Sequence, residues 1–142
     1  MTQTEFPLSR RGFVAAATGI TLTATLAHSQ SRSPVMQAII RTDGQVITLV
    51  TVFTVEPAKL PILLDVLRHG TETFFSKMPG FVSSSVLTAR DGRQAINYSQ
   101  WKSAGDIAGF RKDPRFAPYI QRLLALAKAE TVECDVAYVK SI

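Results

Sequence analysis

Asn97 and Trp101 stand four residues apart in "AINYSQWKS", the stretch from Ala95 to Ser103 that holds the only tryptophan of the chain. Successive side chains of a strand point to opposite faces. Ala95, Asn97, Ser99 and Trp101 would then share one side, and Ile96, Tyr98 and Gln100 the other. Both sets mix apolar bulk with hydrogen-bonding groups, unlike the cleaner alternation of a strand with one wet face. An amide and an indole N–H are uncharged donors. At about 3.4 Å per residue they sit roughly 13 Å apart and bracket a flat multi-ring ligand. Uncharged donors in a dry aromatic pocket suit a ligand oxygen on which negative charge develops. Plainer roles also fit: Trp101 as a core anchor, Asn97 as a satisfied core amide or strand-end cap.

Other residues extend the set. Tyr119 precedes Ile120 at the edge of a helical stripe, where its hydroxyl either enters the pocket or stays at the rim. Ser83 and Ser85 are read as sharing a strand face with Phe81, where small side chains leave room for a ligand or allow close packing. Phe74 and Phe110 complete the candidates for substrate contact. His69 lies nine residues beyond Leu60, half a turn off the apolar stripe, so it is expected in solvent and suits neither haem ligation nor base catalysis. No Cys/His/carboxylate cluster has metal-ligand spacing, and no glycine-rich phosphate loop follows a strand. Cys134, the single cysteine, alternates with Val132 and Val136 and reads as a buried structural thiol.

The 142 residues allow one ordinary domain plus an appendage, and 46% hydrophobic with 19% charged residues is a globular composition. Without residues 1–27 there remain fourteen basic and ten acidic side chains, scattered rather than striped, so nucleic acid is not expected as a partner. Arg111, Lys112 and Arg115, interrupted by Asp113, read as a solvated helix entrance. Ser9-Arg10-Arg11-Gly12-Phe13, followed by a modest apolar run to Ala27, has the layout of a twin-arginine export signal, with 28–45 as a leader. That run is too short for a stable membrane span, which takes about 20 apolar residues. The expected location is therefore the periplasm or beyond.

Positioning the candidates requires a particular order of elements. Gln45–Val55 is β-branched and apolar on both faces and predicts strand one. Glu56-Pro57 opens a helix whose stripe runs through Leu60, Leu63, Leu64, Leu67, Thr71, Phe74, Phe75 and Met78, weakened by Gly70. Pro79-Gly80 stops it. Phe81–Arg90 predicts strand two, Asp91-Gly92 a hairpin, and the opening stretch strand three. Ser103 and Asp106 cap a short helix to about Phe110. Asp113-Pro114 starts another, with Phe116, Ile120, Leu123, Leu124 and Ala127 as its stripe, and Glu130–Lys140 is strand four. The order β-α-β-β-α-β is an α+β, ferredoxin-like arrangement: a four-stranded antiparallel sheet with helices on one face. Strand one is apolar on both sides, so the bare face calls for a second copy, sheet against sheet, in a homodimer.

"NYSQWKS" from Asn97, "PGF" from Pro79 and the Asp91-Gly92 turn resemble the antibiotic biosynthesis monooxygenase family of dimeric α/β barrels, over 46–140. The resemblance implies oxidation of a quinol, anthrone or other phenolic aromatic by O2, with no metal or flavin as cofactor. It assigns catalytic roles to Asn97 and Trp101, with Tyr119 added from the helix stripe. Where relatives often carry a histidine, this chain has Phe110 or the Pro118-Tyr119 pair, which leaves the base unassigned. The alternative is a non-catalytic exported dimer that holds a small aromatic ligand, haem being disfavoured by the exposed His69.

Overall fold

The computed structural model describes residues 37–142. The expected export signal and the first half of the expected leader, residues 28–36, lie outside the described residues. Four strands, β1 (Ile47–Val55), β2 (Phe81–Thr88), β3 (Gln94–Trp101) and β4 (Ala127–Cys134), form one antiparallel sheet in the order β2-β3-β1-β4. Helices α1 (Leu60–Thr73), α2 (Ala104–Lys112) and α3 (Phe116–Leu126) pack on one face. This is the ferredoxin-like fold anticipated from the element order. Among the described residues no helix is long and apolar enough to cross a membrane.

The local signals act where they stand. At the hairpin Gly92 takes φ +72°, which only glycine adopts without strain, and the Asp91 carboxylate accepts the Arg93 N–H at 2.9 Å. Ser103 caps α2: its Oγ accepts the Asp106 N–H at 3.2 Å and donates to the Asp106 carboxylate at 2.6 Å. Such a cap contributes about 1 kcal/mol. Gly80, at φ +78°, turns the chain into β2 so tightly against Asp106 that any Cβ there would collide with its carboxylate.

Strand four differs from its expected span. It begins at Ala127, directly after α3, and ends at Cys134 instead of running from Glu130 to Lys140. Partner length decides this. Ala127 pairs with Val55 at one end of β1 and Cys134 with Thr48 at the other, one residue short of the start of β1 at Ile47. Cys134, at that end, is half-buried rather than buried.

Two hydrophobic clusters fill the space between helices and sheet. One is mainly aliphatic, built on Phe53, Leu63, Leu67, Ala95 and Leu123. The other is mainly aromatic, built on Leu49, Phe74, Trp101, Ile107 and Phe110. Leu63 is fully buried, worth roughly 1.5–3 kcal/mol relative to exposure.

The opposite face of the sheet carries Val50, Val52, Ile96, Tyr98 and Val132. Near its end Gln100 is fully buried. Its side-chain amide clasps the backbone of Arg41: Oε1 accepts the Arg41 N–H at 2.8 Å, and Nε2 donates to the Arg41 carbonyl at 2.9 Å. The Tyr98 hydroxyl is buried on this face without a partner among the described residues.

Candidate active site

Between the two clusters lies a cavity of about 300 Å³, roofed by α1 and α3 and floored by the sheet. Register builds the floor. Thr51 of β1 sits between Asn97 of β3 and Thr131 of β4; one row away, Leu49 sits between Ser99 and Glu133, and Ser84 of β2 flanks Ser99. Five of these side chains, Ser84, Asn97, Ser99, Thr51 and Thr131, line the cavity as a polar band across an otherwise apolar surface.

Each member of the band has a definite partner. The Ser84 hydroxyl donates to Asn97 Oδ1 at 2.8 Å, so both hydrogens of the Asn97 amide remain for other acceptors. Trp101 Nε1–H donates to Ser99 Oγ at 3.3 Å. The Thr51 and Thr131 hydroxyls lie 2.8 Å apart across β1 and β4. The walls are aromatic. Phe75 meets Tyr119 at 5.1 Å, Phe110 at 5.3 Å and Trp101 at 6.2 Å, each edge-on. Edge-to-face contacts fix ring orientation and contribute beyond area burial, about 0.5–1.5 kcal/mol per pair.

The structure brings together Asn97, Trp101, Tyr119 and Phe110 around this cavity, on the helix side expected for Asn97 and Trp101. The Tyr119 ring lies in the cavity wall, against Gly70 of α1, where a Cβ would collide with it. Gly70 thus makes room for Tyr119, a reason beyond its weak helix propensity. Burial raises the Tyr119 pKa well above the usual phenol range, so its hydroxyl stays protonated and acts as a donor.

Two placements require correction. Ser83 and Ser85 do not share the face of Phe81; Ser84 does. The register shifts between Phe81 and Ser83, so Phe81 pairs with Trp101 while Ser83 pairs with Gln100 and Ser84 with Ser99. The extra residue of this β-bulge re-phases the strand. Ser83 and Ser85 line a second hollow of about 480 Å³ at the β2 edge, beside Gln37, Ala38, Ile39 and Arg41, which shares Thr71, Phe81 and Ser84 with the first. Phe74 also lies outside the main cavity, and Phe75 takes its place. Helix α1 ends at Thr73 and the chain tightens into a 3₁₀ turn over Phe75–Lys77, which breaks the i+3/i+4 stripe. Phe74 instead packs in the aromatic cluster with the Arg115 guanidinium 4.6 Å above its ring.

The basic run around α2 and α3 is spent on local pairing. Arg115 forks onto the Asp113 carboxylate through Nε and Nη2, at 2.9 and 2.8 Å. That side-chain bond, with the Arg115 backbone N–H, lowers the Asp113 pKa to about 2. Arg111, on the cavity wall, pairs with Glu133 of β4 at 2.9 Å. His69 is exposed, as its offset required. Among the described residues no group of three or more His, Cys, Asp or Glu side chains is placed to hold a metal ion.

Comparison with known proteins agrees with this architecture. A family model described as antibiotic biosynthesis monooxygenase matches residues 46–122. The tetracenomycin-F1 monooxygenase of Streptomyces glaucescens is 37% identical over 101 residues, which are 71% of this chain and 90% of that enzyme. Among solved structures, SnoaB, a cofactor-independent oxygenase from Streptomyces nogalater, is 26% identical with a TM-score of 0.59, over 68% of this chain and 97% of that one. The ActVA-Orf6 monooxygenase of Streptomyces coelicolor, solved with nanaomycin D, is 28% identical with a TM-score of 0.57, over 67% of this chain and 92% of that one.

Proposed function

The chain belongs to the antibiotic biosynthesis monooxygenase family, and from that premise we propose that it oxidises a quinol, anthrone or related phenolic with molecular oxygen, without a cofactor. The carrying observation is the polar band of uncharged donors across the floor of an aromatic cavity. A planar, oxygen-bearing ring fits such a place: its faces meet Phe75, Phe110 and Tyr119, and its oxygens meet Asn97. For an anthrone the balance is simple. One atom of O2 becomes the carbonyl oxygen at the former methylene carbon, and the other leaves as water with the two methylene hydrogens.

The site's contribution is to favour the enolate. The Asn97 amide donates to the oxygen on which charge develops, in surroundings where water does not compete. Tyr119, held protonated, is a second donor in the wall. The ionisable side chains lining the cavity are Tyr119 and Arg111, and neither accepts a proton near neutrality. Solvent at the cavity mouth therefore takes the substrate proton. The same scarcity of bases supports a second reading, in which the cavity binds an aromatic ligand and catalyses nothing.

The bare sheet face fits a second copy of this chain, as its row of Val50, Val52, Ile96 and Val132 suggests. Export through a twin-arginine signal remains part of this reading; Arg10→Lys with Arg11→Lys should leave the protein in the cytoplasm on cell fractionation.

Oxygen-electrode assays with a panel of hydroquinones and anthrones test the activity. The expected result is oxygen uptake that matches product formation and withstands a metal chelator. Quenching of Trp101 fluorescence by the same compounds without uptake would establish the binding reading instead.

A further inference from the structure

We propose that Ser99, rather than Trp101, is the group that meets a substrate oxygen, and that Trp101 acts through it as a positioning residue. The inference rests on the monooxygenase reading of the cavity and names the donor set within it. Trp101 is only 1% exposed, and its ring is wedged between Phe81 at 5.4 Å and Phe110 at 4.5 Å. Its single polar hydrogen is already committed to Ser99 Oγ at 3.3 Å. An indole N–H has one hydrogen to give, so a ligand would have to break that bond to receive it.

Ser99 is placed differently. It lines the cavity, and its hydroxyl has one hydrogen and two lone pairs. Trp101 fills one lone pair, and the hydroxyl hydrogen has no acceptor among the described residues. It is therefore available to the cavity. Donation into Oγ also polarises the O–H, which strengthens its own donation onward.

Asn97 repeats the device one position earlier on the same face. Ser84 occupies Asn97 Oδ1, so the amide presents its hydrogens. Both β3 donors are thus held by a neighbour that donates to them: Asn97 by Ser84, Ser99 by Trp101. Residues two apart on a strand lie about 6.8 Å apart. That separation suits two oxygens carried by a single ring. It points to a para-quinol, or to the central ring of an anthrone, whose second oxygen arrives from O2 at the methylene carbon opposite the carbonyl, not to oxygens at the far ends of a long polycycle.

Steady-state oxygen uptake with anthrone in four variants tests this. Ser99→Ala should lower kcat about 100-fold or more with little change in KM, the range for loss of one oxyanion donor. Ser99→Thr, which keeps the hydroxyl, should stay within about threefold of wild type. Trp101→Phe should lower kcat about 5- to 10-fold, as expected for a lost neutral hydrogen bond. In a Ser99→Ala background it should cost nothing more, because Trp101 works only through Ser99. Wild-type turnover by Ser99→Ala overturns the proposal. So does a Trp101→Phe penalty undiminished in the double variant.

If the wild-type protein consumes no oxygen with any hydroquinone or anthrone, the monooxygenase reading fails, and calorimetric titration with anthraquinone decides the donor assignment. About tenfold weaker binding by Ser99→Ala supports it, the scale of one neutral hydrogen bond. Equal affinity, or no binding to wild type, overturns it.

Discussion

On its helix side the sheet presents Asn97, Ser99 and Thr51 beneath α1 and α3. On its other side it presents Val52, Ile96 and Tyr98, with the backbone of Arg41 clasped nearby by Gln100. A polar band thus lies on the face that is roofed, and an apolar row lies on the face that is not, with Gln100, Ser83 and Ser85 beside it. In a protein acting alone the reverse would be favoured. The helix side tolerates its hydroxyls and amide because each is paired and because the cavity leaves room for a ligand. The bare side makes sense when a second sheet covers it.

Charge placed on the bare face tests this contrast most severely. Ile96→Glu would bury an unpaired carboxylate in each copy, at several kcal/mol per ion. If the proposed pair forms, sedimentation should show a dimer for wild type and a protomer for the variant, a weakening of about a thousandfold or more, with the fold of each chain intact by circular dichroism. A lone wild-type protomer at micromolar concentration would instead remove the partner from the picture.

On the roofed side, Asn97→Ala should lower turnover about 100-fold while leaving the dimer unchanged, since a single preorganised donor is worth about that much. Normal turnover in that variant would take Asn97 out of the mechanism. Gly70→Ala tests the roof rather than the floor. The added methyl meets the Tyr119 ring, and overpacking of this kind costs about 1–3 kcal/mol. The melting temperature should fall by about 5–15 °C, and aromatic probes should bind more weakly as the ring is pushed inward. An unchanged melting temperature would mean that Tyr119 moves aside freely.

The smallest effect concerns neither face. Asp113 has its pKa lowered from the usual carboxylate value to about 2 by Arg115. A lowered acid pKa stabilises the fold above the unfolded value, and that contribution disappears as pH falls from about 4 through 2. The wild-type melting temperature should therefore drop slightly more over that window than that of Asp113→Asn. Arg115 is solvent-exposed and Asp113 only half-buried, so the difference should be modest and should shrink further in high salt.

Much of this contrast could be read from the residues alone. Element order follows from the periodicity of each segment, and the faces of β3 follow from strict alternation between Ala95 and Trp101. Where the reading failed, the backbone departed from its period. Three consecutive serines hide a bulge, because no apolar residue marks the change of phase, and so Ser84 was missed in favour of its neighbours. Phe74 was preferred to Phe75 because a 3.6-residue stripe was extended past Thr73, where the chain had already tightened. Ser99 stood in the correct set of four but drew no attention. Only side-chain distances reveal that the indole's hydrogen is spent on it. The clasp between Gln100 and Arg41 spans 59 residues and has no local signature.

The run of three hydroxymethyl groups in β2 has a consequence for tolerance to change. If this edge ribbon slid by a single step against its neighbour, Phe81 would lose its place, yet Ser83 or Ser85 would arrive where Ser84 stands. The amide of Asn97 would still find a hydroxyl behind it. Such a slip would therefore spare the hydroxyl that holds Asn97 and remove the ring that packs on Trp101, so a chain lengthened or shortened near Val82 damages one half of the floor and leaves the other.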